Sequence, residues 1–139
     1  MALILFIHQD AARQGEALHK KMTRYFGTKP IQGVHTINAL THILKLPGDC
    51  NQEVYVLLAE SLHRLQELFC LFNLLDGRRI VLVLPDDAKE TISLAHRFYP
   101  RFFTYRTTDY DDLCAVLYKM MNQTQTIPAR REKNDKRVV

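Results

Sequence analysis

The chain has 139 residues, a length that suits one domain. Hydrophobic residues make up 47% of it and charged residues 24%, so it has enough apolar side chains for a substantial core. Residues 122–139 hold five basic and two acidic side chains, and this net +3 accounts for most of the total charge of +4. The remainder is close to neutral, which argues against a nucleic-acid partner except through this basic tail.

Neither a membrane span nor a disulfide framework is expected. Every apolar run falls well short of the roughly 20 residues that a transmembrane helix needs. The opening MALILFIHQD lacks the basic region and cleavage site of a signal peptide, and we interpret it as a strand. Cys50, Cys70 and Cys114 are odd in number and have no metal-type spacing, and the last two are predicted to be buried. These features favour a reducing, cytoplasmic location.

The start of the chain has the pattern of a strand followed by a helix. Residues 3–7 form an unbroken apolar run, which predicts a strand covered on both faces. Asp10 is predicted to cap the following helix. Gly27 is the predicted end of that helix, and Lys29-Pro30 the turn after it.

A second strand–helix unit follows. Residues 31–35 are short and less apolar, as is typical of an edge strand. Thr36 is predicted to cap a helix that ends at residues 47–49, the sequence Pro-Gly-Asp. One face of this helix is apolar and consists of Ile37, Leu40, Ile43 and Leu44.

The third unit contains the run that most resembles a strand. Residues 54–59, VYVLLA, predict a central strand, and one helix is predicted over residues 61–76, ending at Gly77. The apolar stripe of this helix is broader than one buried face requires, so a partner is expected to cover part of it. The stripe consists of Leu62, Leu65, Leu68, Phe69, Phe72 and Leu75.

The fourth unit begins with a buried strand over residues 80–84, IVLVL. Asp87 and Glu90 are predicted to form a capping box for the next helix, which ends at Pro100.

The fifth unit has a strand over residues 102–106 and a helix predicted to be capped by Thr108 and Asp109. The apolar periodicity stops after Asn122, so residues 122–139 are predicted to be a disordered tail or linker.

Five strand–helix units over residues 1–121 predict a single α/β domain. Regular alternation implies a parallel sheet with right-handed crossovers and helices on both faces. For five strands a common order is 2-1-3-4-5, the flavodoxin-like arrangement. We therefore predict a three-layer αβα sandwich around a five-stranded parallel sheet of this order.

Function in such a fold is expected outside the carboxyl ends of the strands, near the switch point between the first and third strands. The charged and imidazole side chains predicted there are His8, Asp10, Glu60, Asp86, Asp87 and Arg106. They are candidates for a metal, phosphate or small-ligand site, whereas Asp10, Glu60, Asp86 and Asp87 also suit helix caps and turns. The sequence has no phosphate-loop, dinucleotide-binding or nucleophile-elbow motif, so we predict no catalytic residue and no cofactor.

The predicted topology, the element lengths and the closing run FFTYRTTDYDDLCAVL resemble the receiver domain of bacterial response regulators over residues 3–121. The resemblance implies an acidic pair after the first strand that holds Mg²⁺ and a phospho-accepting Asp ending the third. It also implies a hydroxyl residue ending the fourth strand and a Lys late in the fifth.

This sequence departs from that set at almost every position. The acidic pair falls on His8 and Gln9, and the acceptor falls on Ala59, or on Glu60 if the alignment shifts by one residue. The hydroxyl position falls on Leu84 or Pro85, and Arg106 alone keeps the charge of the lysine. The resemblance therefore implies the fold of a pseudo-receiver and argues against phosphotransfer.

The first functional hypothesis is thus a non-enzymatic signalling or interaction module that binds a protein partner or itself, for example as a dimer. In receivers the face made by the fourth helix, fifth strand and fifth helix serves this purpose. Here that face would contain Arg97, Arg101, Tyr105, Tyr110 and Tyr118. The alternative is a small-ligand, metal or phosphate-binding domain, including an enzyme, that uses the carboxyl edge of the sheet. A fragment of a longer signalling protein is a third hypothesis.

Overall fold

A computed structural model describes residues 2–27, 31–46, 53–106 and 110–126. Within these ranges the strands are β1 Ala2–Phe6, β2 Ile31–Val34, β3 Glu53–Leu58, β4 Arg79–Leu84 and β5 Phe102–Tyr105. The helices are α1 Ala12–Phe26, α2 Ile37–Lys45, α3 Leu62–Phe69, α4 Phe72–Leu75, α5 Lys89–Arg97 and α6 Asp111–Thr126. The predicted turn at Lys29-Pro30, the helix end at residues 47–49, Cys50, and the caps Thr108 and Asp109 lie outside the described residues.

The strands form one parallel sheet in the order β2-β1-β3-β4-β5. Alternate residues of β1 contribute to two separate cores, with Leu3 and Leu5 on one face and Ile4 and Phe6 on the other. The first core contains the inner faces of α1 and α6, and the second those of α2, α3, α4 and α5. The molecule is therefore a three-layer sandwich of the flavodoxin-like kind, and the predicted fold class and strand order are confirmed.

Two of the predicted helix caps are wrong, and one is confirmed. Thr36 caps α2, with its hydroxyl accepting from the Ala39 N–H at 3.0 Å. Asp10 caps nothing: it lies in a 3-10 turn, Gln9–Ala11, that precedes α1. The cap of that turn is His8, whose Nδ1 accepts from the Asp10 N–H at 3.1 Å.

The predicted capping box of Asp87 and Glu90 is also wrong, because Ala88 is the N-cap of α5 and supplies no side-chain oxygen. Asp86 supplies a related side-chain bond before the helix, since its Oδ1 accepts from the Ala88 N–H at 3.0 Å. An Asp two residues before an N–H forms a local turn of this kind readily.

The helix predicted over residues 61–76 consists of two helices, α3 and α4. The Leu71 N–H bonds the Leu68 carbonyl at 3.0 Å, a spacing of three residues that tightens the last turn of α3 and ends it. The chain then restarts as α4, which packs against α2. Cys70 at this break is exposed, so the prediction that it is buried is wrong, whereas Cys114 is buried as predicted.

The last helix continues four residues past Asn122, to Thr126. The start of the predicted tail is therefore helical, and residues 127–139 lie outside the described part of the chain. Within that part, no helix combines the length and the apolar character needed to span a membrane.

At the amino edge of the sheet, Arg78 joins several elements. Its guanidinium donates to the Tyr55 hydroxyl at 3.0 Å, to the Leu44 carbonyl at 2.9 Å and to the Leu74 carbonyl at 2.8 Å. The Tyr55 hydroxyl in turn donates to Glu53 at 3.1 Å. These bonds provide partners for the hydroxyl of Tyr55, a residue that is otherwise fully buried.

Candidate functional site

The candidate site lies at the carboxyl ends of β1 and β3, which pair in parallel with Phe6 opposite Leu57. From β1 the chain crosses to β2 on one side, and from β3 it crosses to β4 on the other side. The strands β1 and β3 therefore form the topological switch point of the sheet. His8 and Asp10 follow β1, and Glu60 follows β3. The structure therefore brings three of the six predicted edge residues to one place.

Arg64, which is outside the set of residues predicted for this edge, lies among them. Arg64 is in the first turn of α3, and its Nε contacts Glu60 at 3.0 Å to Oε2 and 3.2 Å to Oε1. Its Nη2 lies 3.7 Å from Oδ2 of Asp10, and its Nη1 donates to Glu67. The one guanidinium thus contacts three carboxylates from the β1 loop, the β3 loop and α3.

Burial makes the pair of Arg64 and Glu60 the strong member of this network. Their side chains are 11% and 13% exposed, and a charged pair shielded from water is both stronger and costlier to disrupt than a surface pair. Asp10 is 73% exposed and its contact is longer, so it contributes little.

The backbone before α3 sets up this geometry. Ser61 is the N-cap in extended conformation, with φ −157°, and its hydroxyl accepts from the Arg64 N–H at 3.2 Å. This bond fixes the first turn of the helix and with it the position of Arg64. Glu60 precedes the cap and Glu67 lies one turn later, so both acids are within reach of the same guanidinium.

The residue directly after β3 is Ala59, whose methyl side chain cannot act as a nucleophile. Ala59 is fully buried, and its N–H donates to the Val83 carbonyl at 2.9 Å, which keeps it in register with β4. Glu60, the next residue, is held by Arg64.

His8 acts as a cap because its Nδ1 accepts from the Asp10 N–H. The half-buried ring also lies edge-on to Phe6, at 6.3 Å between centroids. His8 therefore has a structural role that uses one of its two nitrogens.

Asp86 and Asp87 lie apart from this network, at the ends of β4 and β5. With Pro85 and Tyr105 they line a cleft of about 350 Å³. Interaction with the Thr91 hydroxyl, and then with the Ala88 N–H, lowers the pKa of Asp86 below its ordinary value. A cleft with two carboxylates repels anions, which argues against a phosphate here.

In the described ranges, no three His, Cys, Asp or Glu side chains come close enough to hold a metal ion. The five proposed ligands His8, Asp10, Glu60, Asp86 and Asp87 therefore do not assemble into one metal site.

Arg106 lies just past β5, where its N–H donates to the Leu84 carbonyl at 2.9 Å. Its Nε is buried without a hydrogen-bond partner among the residues that the structure describes. The Arg106 carbonyl accepts from the Tyr110 hydroxyl at 2.7 Å.

The predicted interaction face is only partly exposed. Arg97, Arg101 and Tyr118 are exposed, and Tyr105 is half-buried against the core. Tyr110 is 2% exposed and packs in the core beside α1 and α6, so its assignment to this face is wrong. The φ of Tyr110 is +66°, and its hydroxyl is bonded to the carbonyl of Arg106.

Comparison with known proteins gives no match to a family model, a curated protein or a solved structure.

Proposed function

We propose that this chain is a non-enzymatic signalling or protein-interaction module, similar in fold to a response-regulator receiver and independent of phosphorylation. The observation that carries the proposal is the guanidinium of Arg64 between Asp10 and Glu60 at the switch point. Phosphoryl transfer in receivers needs an anionic nucleophile and a metal cation at this place. A buried Ala59 and an internal cation are found there instead.

The energetics of the ion pair support this interpretation. For Mg²⁺ to use the carboxylate of Glu60, it would have to displace Arg64, whose side chain is 11% exposed. Breaking a fully buried pair costs roughly 3–5 kcal/mol. Partial access of water and the remaining contact of Arg64 with Glu67 reduce this penalty, and metal binding would have to offset what is left of it. We therefore expect the Arg64–Glu60 pair to remain intact in the presence of Mg²⁺.

The surface around β5 is the first candidate for the interaction itself. β5 is the last strand of the sheet, and its four residues, Phe102–Tyr105, are all partly exposed. His96 and Tyr105 pack edge-on against Phe103 at 5.5 and 6.3 Å between centroids. An edge strand with aromatic side chains beside exposed Arg101 suits a partner or a second copy of this chain.

Cys70 and Cys114 are free thiols, which fits a cytoplasmic location.

A second candidate function is the binding of a small cationic ligand in the cleft at Asp86 and Asp87. The charge of the cleft favours a cation, and Tyr105 offers a ring for stacking. A ligand present at about 100 times its dissociation constant should stabilise the protein by roughly 2.7 kcal/mol. If no cationic compound in a broad library raises the melting temperature, this candidate is rejected.

The experiment that tests the main proposal is thermal unfolding with and without Mg²⁺ and beryllofluoride, a mimic of the phosphoryl group. We expect no change in melting temperature beyond the effect of Mg²⁺ alone. A stabilisation that disappears in Glu60→Gln would show that the edge is a working acceptor site. Sedimentation of the same samples tests self-association, and we expect a concentration-dependent dimer if β5 is its interface.

A further inference from the structure

A groove of about 670 Å³ runs between α3 and α5, on the sheet face opposite α1 and α6. Its apolar lining is formed by the half-buried side chains of Leu62, Phe69 and Leu94, of which the last two also pack against the core. Leu62 and Phe69 belong to the apolar stripe of α3 that is broader than one buried face requires. Part of that stripe thus lines the groove.

A cation stands toward each end of the α5 side of this groove, Lys89 in the first turn and Arg97 in the last. Eight residues of helix separate them, which corresponds to about 12 Å. Among the residues that the structure describes, neither has a carboxylate within ion-pair distance. With Glu90 as the one acid in the lining, the groove has a net positive charge.

Arg97 is also held in place. Its guanidinium carbon lies 4.7 Å from the centroid of the Phe69 ring, a cation–π contact. An arginine stacked in this way keeps its N–H donors in the plane of the guanidinium, where a carboxylate can bind to two of them. Arg64 and Arg78, by contrast, each have several polar partners inside the domain.

The aromatic surface continues past Arg97. Phe72 stacks on Phe69 at 5.3 Å, and Tyr99 packs against Phe72 at 6.4 Å. Tyr99 is 77% exposed and has a φ of +53°, a conformation that costs a bulky residue free energy. The chain therefore presents a large ring to solvent at the end of the groove.

We propose that this groove binds an acidic amphipathic helix of a partner protein, a proposal that rests on the interaction function inferred above. An apolar floor between two helices is the surface that the apolar face of a third helix can cover. Carboxylates seven residues apart on that third helix lie about 10.5 Å apart, close to the spacing of Lys89 and Arg97. The apolar floor and the presence of Glu90 favour a protein partner over a nucleic acid.

The test uses the full chain and two designed, fluorescein-labelled helical peptides of about 16 residues. Both have the same leucine face, and one has glutamates flanking it where the other has lysines. In fluorescence anisotropy at low salt, we expect the acidic peptide to bind at least about tenfold more tightly than the basic one. Equal affinities, or no binding of either, would overturn the proposal. A short single-stranded oligonucleotide that displaces the acidic peptide completely would overturn the choice of a protein partner.

Single-residue variants test whether the acidic peptide binds in the groove. Arg97→Gln and Lys89→Gln should each weaken binding of the acidic peptide by about five- to tenfold and reduce its salt dependence. Arg24→Gln is the matched control, because Arg24 is an exposed arginine of α1, on the opposite face of the sheet and outside the groove lining, and it should change affinity less than about twofold. If Arg24→Gln has the larger effect, the groove is not the site. These results do not depend on beryllofluoride binding, so the two proposals can fail separately.

Discussion

Replacing Arg64 is the sharpest test of how the switch point is built. Arg64→Met keeps much of the length of the side chain but removes the charge, which leaves Glu60 with a 13% exposed side chain and no cation. Breaking a fully buried pair costs roughly 3–5 kcal/mol, and partial access of water reduces this, so we expect a loss of about 2 kcal/mol. For a domain of this size each kcal/mol lowers the melting temperature by about 3 °C, so we expect a decrease of about 6 °C.

The matched control is Lys20→Met. Lys20 and Glu16 are also four residues apart with the acid first, but their side chains are 69% and 63% exposed. A surface pair of this kind contributes about 0.5 kcal/mol or less. In denaturant unfolding, Arg64→Met should therefore lower the free energy of unfolding several times more than Lys20→Met does.

A second variant separates the charge from other effects of the substitution. Glu60→Gln combined with Arg64→Met should recover about 1 kcal/mol or more relative to Arg64→Met alone, since no buried charge then lacks a partner. If Arg64→Met costs no more than Lys20→Met, Arg64 does not hold the edge together and the reasoning is refuted.

Three further predictions concern packing, ionisation and thiol reactivity. Gly15→Ala should destabilise the protein by about 1 kcal/mol in denaturant unfolding, since overpacking costs roughly 1–3 kcal/mol and better helix propensity returns up to about 1. The reason is that a Cβ on Gly15 would lie 2.4 Å from Cγ2 of Ile7. Burial raises the pKa of Tyr55 from 10.0 to about 12, so its stabilisation is complete below pH 10 and disappears as the pH rises through about 12. In alkaline unfolding the loss from this group should approach roughly 3 kcal/mol. Iodoacetamide should label exposed Cys70 in the folded protein, but not Cys114, where burial raises the pKa of the thiol.

Each of these three has a control. Ala17→Gly on the exposed face of α1 calibrates helix propensity, and a stabilising Gly15→Ala would show that Ile7 moves aside freely. Tyr55→Phe should remove part of the alkaline sensitivity, whereas exposed Tyr25→Phe should not. Labelling is followed by mass spectrometry in a Cys50→Ser background, and equal rates at the two remaining thiols would contradict the burial of Cys114.

The sheet could be predicted from the sequence because β1, β3 and β4 are buried on both faces and therefore appear as unbroken apolar runs. The edge strand β2 is shorter and more mixed, which also identified its place, whereas the place of β5 followed from the common strand order. The break between α3 and α4 was missed because apolar residues continue at helical spacing across it, from Leu68 to Leu75. The contact of α4 with α2 is a tertiary feature that this local pattern does not show.

The carboxyl edge was predicted less well than the sheet. Topology placed His8, Asp10 and Glu60 correctly, but the importance of Arg64 depends on the burial of its side chain and of Glu60, which the folded structure shows and a local sequence pattern does not. The spacing of Glu60, Arg64 and Glu67, four and three residues apart, indicates ion pairs on a helix. The same spacing is also found in ordinary surface pairs, so it does not by itself identify a buried network.

The burial of Tyr110 was also not predicted from the sequence. It was assigned to the interaction face through the resemblance to receivers, but its φ is +66° and its ring is buried in the core.

The most direct test of the closed edge is a residue-resolved amide NMR titration of the wild-type protein with Mg²⁺ and beryllofluoride. If Arg64 occupies the place of the cation, the signals of Ala59, Glu60 and Arg64 should remain unchanged by beryllofluoride up to millimolar concentration. Saturable shifts at these three residues that are lost in Glu60→Gln would contradict the account, because they would show that the edge opens to accept a phosphoryl mimic.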